Sequence, residues 1–179
     1  MFLSATALIC SDQWNHCLRL LNLTGTMAET STYAGTCTTD GTTDGHRLRS
    51  ALFRNQKHIE VNSYSSTIFV IDDSKSLRKI NLQTDEVTTI MKIDSYVRSV
   101  LPGKGLLYFS TSKAVLKLDL NSDTYSGIAG GSVKGQTTGS FDDTRFDSSR
   151  GLLLLSHEGR TLLLVADRDN NRCAGYSLL

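Results

Sequence analysis

Three aspartates, Asp12, Asp72 and Asp167, each stand where a short apolar run gives way to a turn. A carboxylate in that place accepts backbone N–H groups and fixes the turn, which is the commoner use of such a residue and the one expected here. A ring of them around one mouth would instead offer the several oxygen ligands that calcium prefers. Thr111 occupies the fourth matching position and breaks that ring. A second chemistry is carried by Arg47, Arg49, Arg54, Lys57 and His58, a basic stretch with Phe53 inside it. It could contact the phosphates of RNA, with an affinity falling steeply with salt. Asp40, Asp44 and Glu60 flank it, and no basic-aromatic face recurs along the chain, so RNA binding stands as the alternative reading.

Catalytic and cofactor signatures are absent from the sequence. His16, His46, His58 and His157 are scattered, and no G-x-S-x-G nucleophile elbow occurs. The run GGSVKG at 130–135 lacks the Gly-Lys-Ser/Thr ending and following helix of a phosphate loop. Asp40, Asp44, Asp142 and Asp143 sit in Gly-rich linkers without the spacing of an EF-hand, so solvated turns are expected. No metal or other cofactor is expected.

Formal charge is +1, from 19 basic and 18 acidic residues, so no overall field recruits nucleic acid or an anionic membrane. No run of apolar residues is long enough for a spanning helix, and no membrane partner is expected. Cys10, Cys17, Cys37 and Cys173 show no CxxC spacing, which argues against structural zinc. Cys10 and Cys17 flank one turn and could pair across it in an oxidising compartment; small buried thiols on strands are the plainer expectation. Asn22-Leu23-Thr24 is a glycosylation sequon where a strand meets a turn, which tips the setting toward extracellular over cytoplasmic.

The elements that position these residues are repeated. Residues 8–23, 68–82, 107–120 and 162–178 each read as an apolar run, a polar turn and a second run of alternating character. Alternation is clear at 77–82 and 115–120, where Arg78, Lys117 and Asp119 are expected to face away from a core. The continuous apolar runs at 67–71 and 162–166 predict strands covered on both faces. Further strands are expected at 30–35, 86–91 and 124–130 after the hairpins, and at 58–62, 96–101 and 151–156 before them. The opening MFLSATALIC reads as the first strand of the first hairpin and not as a leader peptide. The unit is therefore four antiparallel strands, a propeller blade. Asp72 and Thr111 lie 39 residues apart, close to the roughly 40–45 of one blade.

With those residues in view, the chain resembles the NHL-repeat β-propellers. The segments Ser11-Asp12-Gln13-Trp14-Asn15-His16, Val165-Ala166-Asp167-Arg168-Asp169-Asn170-Asn171-Arg172, Tyr33-Ala34-Gly35 and Ile128-Ala129-Gly130-Gly131 match that family's pattern, as do the linkers from Asp44-Gly45 to Phe53 and from Gly139 to Phe146. Ala174 stands where the pattern places the cation that Arg19, Arg78 and Lys117 supply elsewhere. The resemblance implies one all-β propeller domain over 1–179, with four-stranded blades at 1–37, 38–93, 94–131 and 132–179. The first blade is expected to lack its innermost strand and the last its outermost. Family rings close with about six blades, so four imply a partial propeller, and open blade faces imply that self-association is a further prospect.

Function follows from the loops. A propeller without a catalytic constellation implies a non-catalytic module that meets a protein partner through loops such as 36–50 and 131–145. The candidate contact residues are Asp40, Asp44, His46, Arg47, Arg49, Arg54, Lys134, Asp142 and Asp143. RNA binding is the first alternative, and a metal-dependent lyase or hydrolase of propeller type the second.

Overall fold

The computed structural model describes residues 2–26, 28–140 and 143–178. Among them there is no α-helix, only the short 3-10 turns Gln13–Asn15 and Arg168–Asn170. Everything else regular is antiparallel sheet.

Four sheets follow one another along the chain. The first holds β1 (Phe2–Ser4), β2 (Ala7–Asp12), β3 (Cys17–Asn22) and β4 (Glu29–Ala34). The second carries the short β5 (Gly45–His46) at one edge, paired to the last of four strands, β6 (His58–Asn62), β7 (Thr67–Asp72), β8 (Ser76–Asn81) and β9 (Glu86–Lys92). The third is β10 (Val97–Pro102), β11 (Leu106–Thr111), β12 (Ala114–Asp119) and β13 (Tyr125–Gly130). The fourth is β14 (Ser149–His157), β15 (Arg160–Asp167) and β16 (Arg172–Leu178). The first sheet thus has a strand ahead of β2, the three-residue β1, where none was expected. The last sheet has three strands, as anticipated.

The chain divides into two compact units, Met1–Asp94 and Ser95–Leu179, each built from two sheets. In the first unit, Ile9, Leu18, Tyr33 and Ala34 share a core with Ile68, Val70, Ile80 and Val87, and Ala51 and Phe53 of the linker complete it. In the second, Tyr108, Val115 and Ala129 share a core with Leu163, Val165 and Ala174, and Phe146 plays the part of Phe53. Each large side chain so buried contributes about 1.5–3 kcal/mol.

The Ala-Gly and linker-Phe signatures have one physical cause. Gly35 and Gly130 lie at φ +87° and +95°, and a Cβ on either would stand 2.9 Å from Cδ2 of Phe53 or of Phe146. The strand must end in a residue with no side chain for the aromatic ring of the next linker to lie against it.

Three expectations need correction. Arg78 does not face away: it is fully buried, for a reason given below. β15 is covered on one face only, with Leu163 and Val165 buried and Leu162, Leu164 and Ala166 half-exposed, whereas β7 is buried over most of its length. The disulfide joins Cys17 to Cys37, and Cys10 and Cys173 are free and exposed. Register explains this last point, because Cys10 lies opposite Arg19 and Cys17 lies opposite Asp12.

Candidate functional site

The strand-end aspartates work with arginines, and together they clip down the linkers. In the first unit the Arg78 guanidinium donates to Oδ2 of Asp72 at 2.8 Å, to the Leu52 carbonyl at 2.5 Å, to the Thr43 carbonyl at 2.7 Å and to Oδ1 of Asp44 at 2.9 Å. Its Cζ lies 4.6 Å from the centroid of the Phe53 ring. The Arg54 N–H donates to the other Asp72 oxygen at 2.8 Å. Burial pushes the Asp72 carboxyl up to about 6, against the opposing pull of the Arg54 N–H and of Arg78. For Asp44, burial also acts upward, but the hydrogen bonds from Thr89 and Arg78 outweigh it and hold the carboxyl below its ordinary value.

The second unit repeats the device with a shifted arginine. Arg172 donates from Nε to Oδ2 of Asp167 at 2.8 Å, and its terminal nitrogens reach the carbonyls of Gln136 at 2.6 Å and Arg145 at 2.7 Å. The Asp147 N–H donates to Oδ1 of Asp167 at 2.8 Å. Arg172 lies directly opposite Asp167 on β16, two residues before Ala174, so the cation missing from the pattern is supplied from the neighbouring station. Asp12 faces Arg19 at 3.4 Å, and the Thr111 hydroxyl accepts from the Ala114 N–H at 3.1 Å in place of a carboxylate. The carboxylate charge that the alternative cation-ring reading needed is thus taken up by arginine. Among the described residues no group of three His, Cys, Asp or Glu side chains could hold a metal ion.

Most of the residues proposed as partner contacts have internal partners. Asp40 pairs with Arg54 at 2.9 Å. Arg47 pairs with Asp85 at 2.7 Å, donates to the Tyr33 carbonyl at 2.5 Å and lies over the Tyr33 ring at 4.6 Å. The Arg47 guanidinium holds the Asp85 carboxyl below its ordinary value. His46 accepts the Leu48 N–H on Nδ1 at 3.2 Å. Lys134 pairs with Asp147 at 2.6 Å, and Asp143 accepts the Ser140 hydroxyl at 2.7 Å. Asp142 lies outside the described residues. Of the basic stretch, Arg49 and Lys57 are exposed, while His58 sits 3.2 Å from Glu60. Asn22 is exposed at the end of β3, its Oδ1 accepting from the Thr24 N–H and hydroxyl at 3.1 and 2.9 Å.

Among the groups left uncovered in the first unit are a tryptophan and a cleft. Trp14 is 80% exposed on the 3-10 turn between β2 and β3. Its neighbours fix that turn, because Gln13 bonds the Asn55 side chain and the Asn15 carbonyl accepts the Thr38 N–H at 2.8 Å. A polar cleft of about 330 Å³ lies among Thr42, Arg54, Asp73, Lys75, Ser76 and Lys92. An apolar side chain held in water on a fixed turn gains little in the free fold, and Trp is enriched among the anchors of protein interfaces. The sequence signal for it was a single Trp in a hairpin turn, which gives no measure of exposure.

No family model matches the chain, and no curated protein matches it. Solved structures do. The chain is similar to an auxiliary nutrient binding protein from Bacteroides thetaiotaomicron VPI-5482, at 13% identity and a TM-score of 0.61, over 97% of this chain and 52% of that one. A second auxiliary nutrient binding protein, from Bacteroides ovatus ATCC 8483, aligns at 12% identity and a TM-score of 0.58 over 96% and 54%. The computationally designed Ika4 protein aligns at 7% identity and a TM-score of 0.55 over 100% and 94%. The chain spans about half the length of the two Bacteroides proteins. At these identities the likeness is one of fold.

Proposed function

We propose that this chain is a non-catalytic binding module of β-propeller type, with NHL-like repeats as its four sheets, and that it meets a protein partner at the turn-and-linker end marked by Trp14. The exposure of Trp14 on a turn fastened at both sides carries this reading. Support comes from the recurrence along the chain of antiparallel sheets of three to five strands, and from two similar folds described as nutrient binding proteins. The Cys17–Cys37 disulfide and the exposed Asn22 sequon support an oxidising, extracellular setting. The RNA alternative loses force because Arg47, Arg54 and His58 already face carboxylates. Self-association is favoured by one observation, the exposure of Leu153 and Leu155 on β14.

The test places a photo-crosslinking amino acid at position 14, and in a separate variant at Tyr125, which is 62% exposed on β13. A protein adduct formed in the producing cells from position 14, resistant to ribonuclease and absent from position 125, is the expected result. Equal adducts from both positions, or none from position 14, would refute the proposal.

A further inference from the structure

The second unit gathers three guanidiniums that its linker clip does not use. β10 pairs Val97 with Thr111 and then Ser99 with Ser110, which leaves Arg98 as the extra residue of a bulge. β14 pairs Ser149 with Asp167 and then Gly151 with Ala166, which leaves Arg150 in the same role. Thr111 and Asp167 each close the second strand of their sheet, so the two bulges occupy one station on neighbouring first strands. A bulge re-aims the side chain it carries. β14 packs against both β10 and the Arg168–Asn170 turn, which brings Arg168 to the same place.

Among the described residues the carboxylates near this charge are Asp147 and Asp169, and both are engaged: Asp147, which also acts on Arg168, pairs with Lys134 at 2.6 Å. Asp169 is engaged by Arg168 in a two-pronged pair, Nε to Oδ1 at 2.6 Å and Nη2 to Oδ2 at 3.1 Å. Arg98 Nε is buried with no hydrogen-bond partner, and its guanidinium carbon stands 5.7 Å from the Tyr96 ring centroid. Among the described residues Arg150 makes no ion pair. Arg150 is exposed, and partial desolvation, then the charges of Arg98 and Arg168, hold its guanidinium below its ordinary value, with Asp169 acting the other way. Like charges set together around an unpaired buried donor are stabilised by an anion that accepts from several guanidiniums at once.

We propose that Arg98, Arg150 and Arg168 form a binding site for a small divalent oxyanion, phosphate or sulfate, taken either free or as the terminal ester of a larger ligand. The planar fork of each guanidinium matches the tetrahedral oxygens in pairs, which an ammonium does not do. Two charges on the anion answer the two arginines that lack a carboxylate.

Titration calorimetry of the whole chain at constant ionic strength tests this with inorganic phosphate, sulfate and acetate. Saturable binding of both dianions, tighter than acetate, is expected. Arg150→Gln, an exposed position whose loss leaves the core intact, and Arg98→Gln should each weaken binding about tenfold or more. Lys104→Gln, which removes an exposed charge at the far turn of β10, should leave it unchanged. Comparison of glucose 6-phosphate with phosphate, with glucose as blank, separates an ester site from a free-ion site. No saturable binding of either dianion, or wild-type affinity in Arg150→Gln, would overturn the assignment.

Discussion

Replacing Arg78 with Met tests the linker clip at its centre. The side chain is fully buried and donates to four oxygens, two of them carboxylate. Met keeps most of the volume and the contact with Phe53, so the change is chiefly electrostatic. Asp44 is exposed and can be rehydrated, and the Leu52 and Thr43 carbonyls lie on a surface linker within reach of water. Asp72 has no such relief, being fully buried. Stranding one member of a buried pair costs about 3–5 kcal/mol, a large part of the 5–15 kcal/mol that holds a typical domain folded. Urea unfolding at pH 7 should show that loss. Amide exchange at Gly41 and Leu52, whose N–H groups bond Phe53 and Thr43 across the linker, should quicken first. The pH arm has a definite sign. Burial raises Asp72 to about 6, above its value of 3.8 when unfolded, so through this group the fold gains stability as pH falls below about 6 and lacks that gain at neutral pH. Without Arg78 one of the influences holding the carboxyl down is gone, and the gain begins at a higher pH. The deficit of Arg78→Met should therefore shrink between pH 8 and pH 5, and Asp72→Asn in the same chain should recover part of it. A loss under about 1 kcal/mol, or a deficit independent of pH, would refute the account of the clip.

Reduction of the Cys17–Cys37 bond, which closes a loop with a separation of 20 residues, should lower stability by about 3 kcal/mol in thermal or urea unfolding with and without reductant. Gly130→Ala should cost more than Gly159→Ala in urea unfolding. Both glycines have positive φ, but a Cβ at 130 runs into the Lys113 carbonyl and the Ala114 backbone, while at 159 it meets nothing within 4 Å. The wild-type chain should self-associate with rising concentration in sedimentation experiments, and Leu153→Glu with Leu155→Glu should keep it monomeric; unchanged sedimentation would remove that face as the cause.

The all-β class and the strand order were legible because each hairpin carries its own period. β7 and β8 read directly from the apolar run at 67–71 and the alternation at 77–82. The same alternation misled at Arg78, since period two says which face a residue takes but not whether a polar partner is buried there. Asp72 was expected to fix its own hairpin; its N–H donor is Arg54, 18 residues earlier, a pairing that only the return of the linker creates. The arginine site was illegible for a related reason. A bulge shifts register by one residue without any mark in the composition of β10 or β14, so nothing in the sequence singles out Arg98 and Arg150. Cys37 carried no pairing signal because its partner depends on how the linker leaves β4.

The linkers were expected to be the recognition loops; on the reading proposed above, the way they are fastened favours the turn that carries Trp14 for that role. Arg78 grips the linker at Thr43 and Leu52, and Arg172 grips the next at Gln136 and Arg145, so a partner pulling on either linker would have to break these arginine–carbonyl bonds. The first sheet is arranged otherwise. Asp12 and Arg19 sit 3.4 Å apart and partly exposed, Arg19 reaches the linker at Cys37 Sγ at 3.5 Å and grips no linker carbonyl among the described residues, and the fastening at this end comes from the Cys17–Cys37 bond and from the Thr38 N–H on Asn15. A covalent tie does not depend on burying the turn beside it, which leaves that turn free to hold Trp14 in water. Rigidity under an exposed aromatic is what lowers the entropy lost when a partner closes over it, and in this chain that combination is assembled where a disulfide replaces the arginine clip.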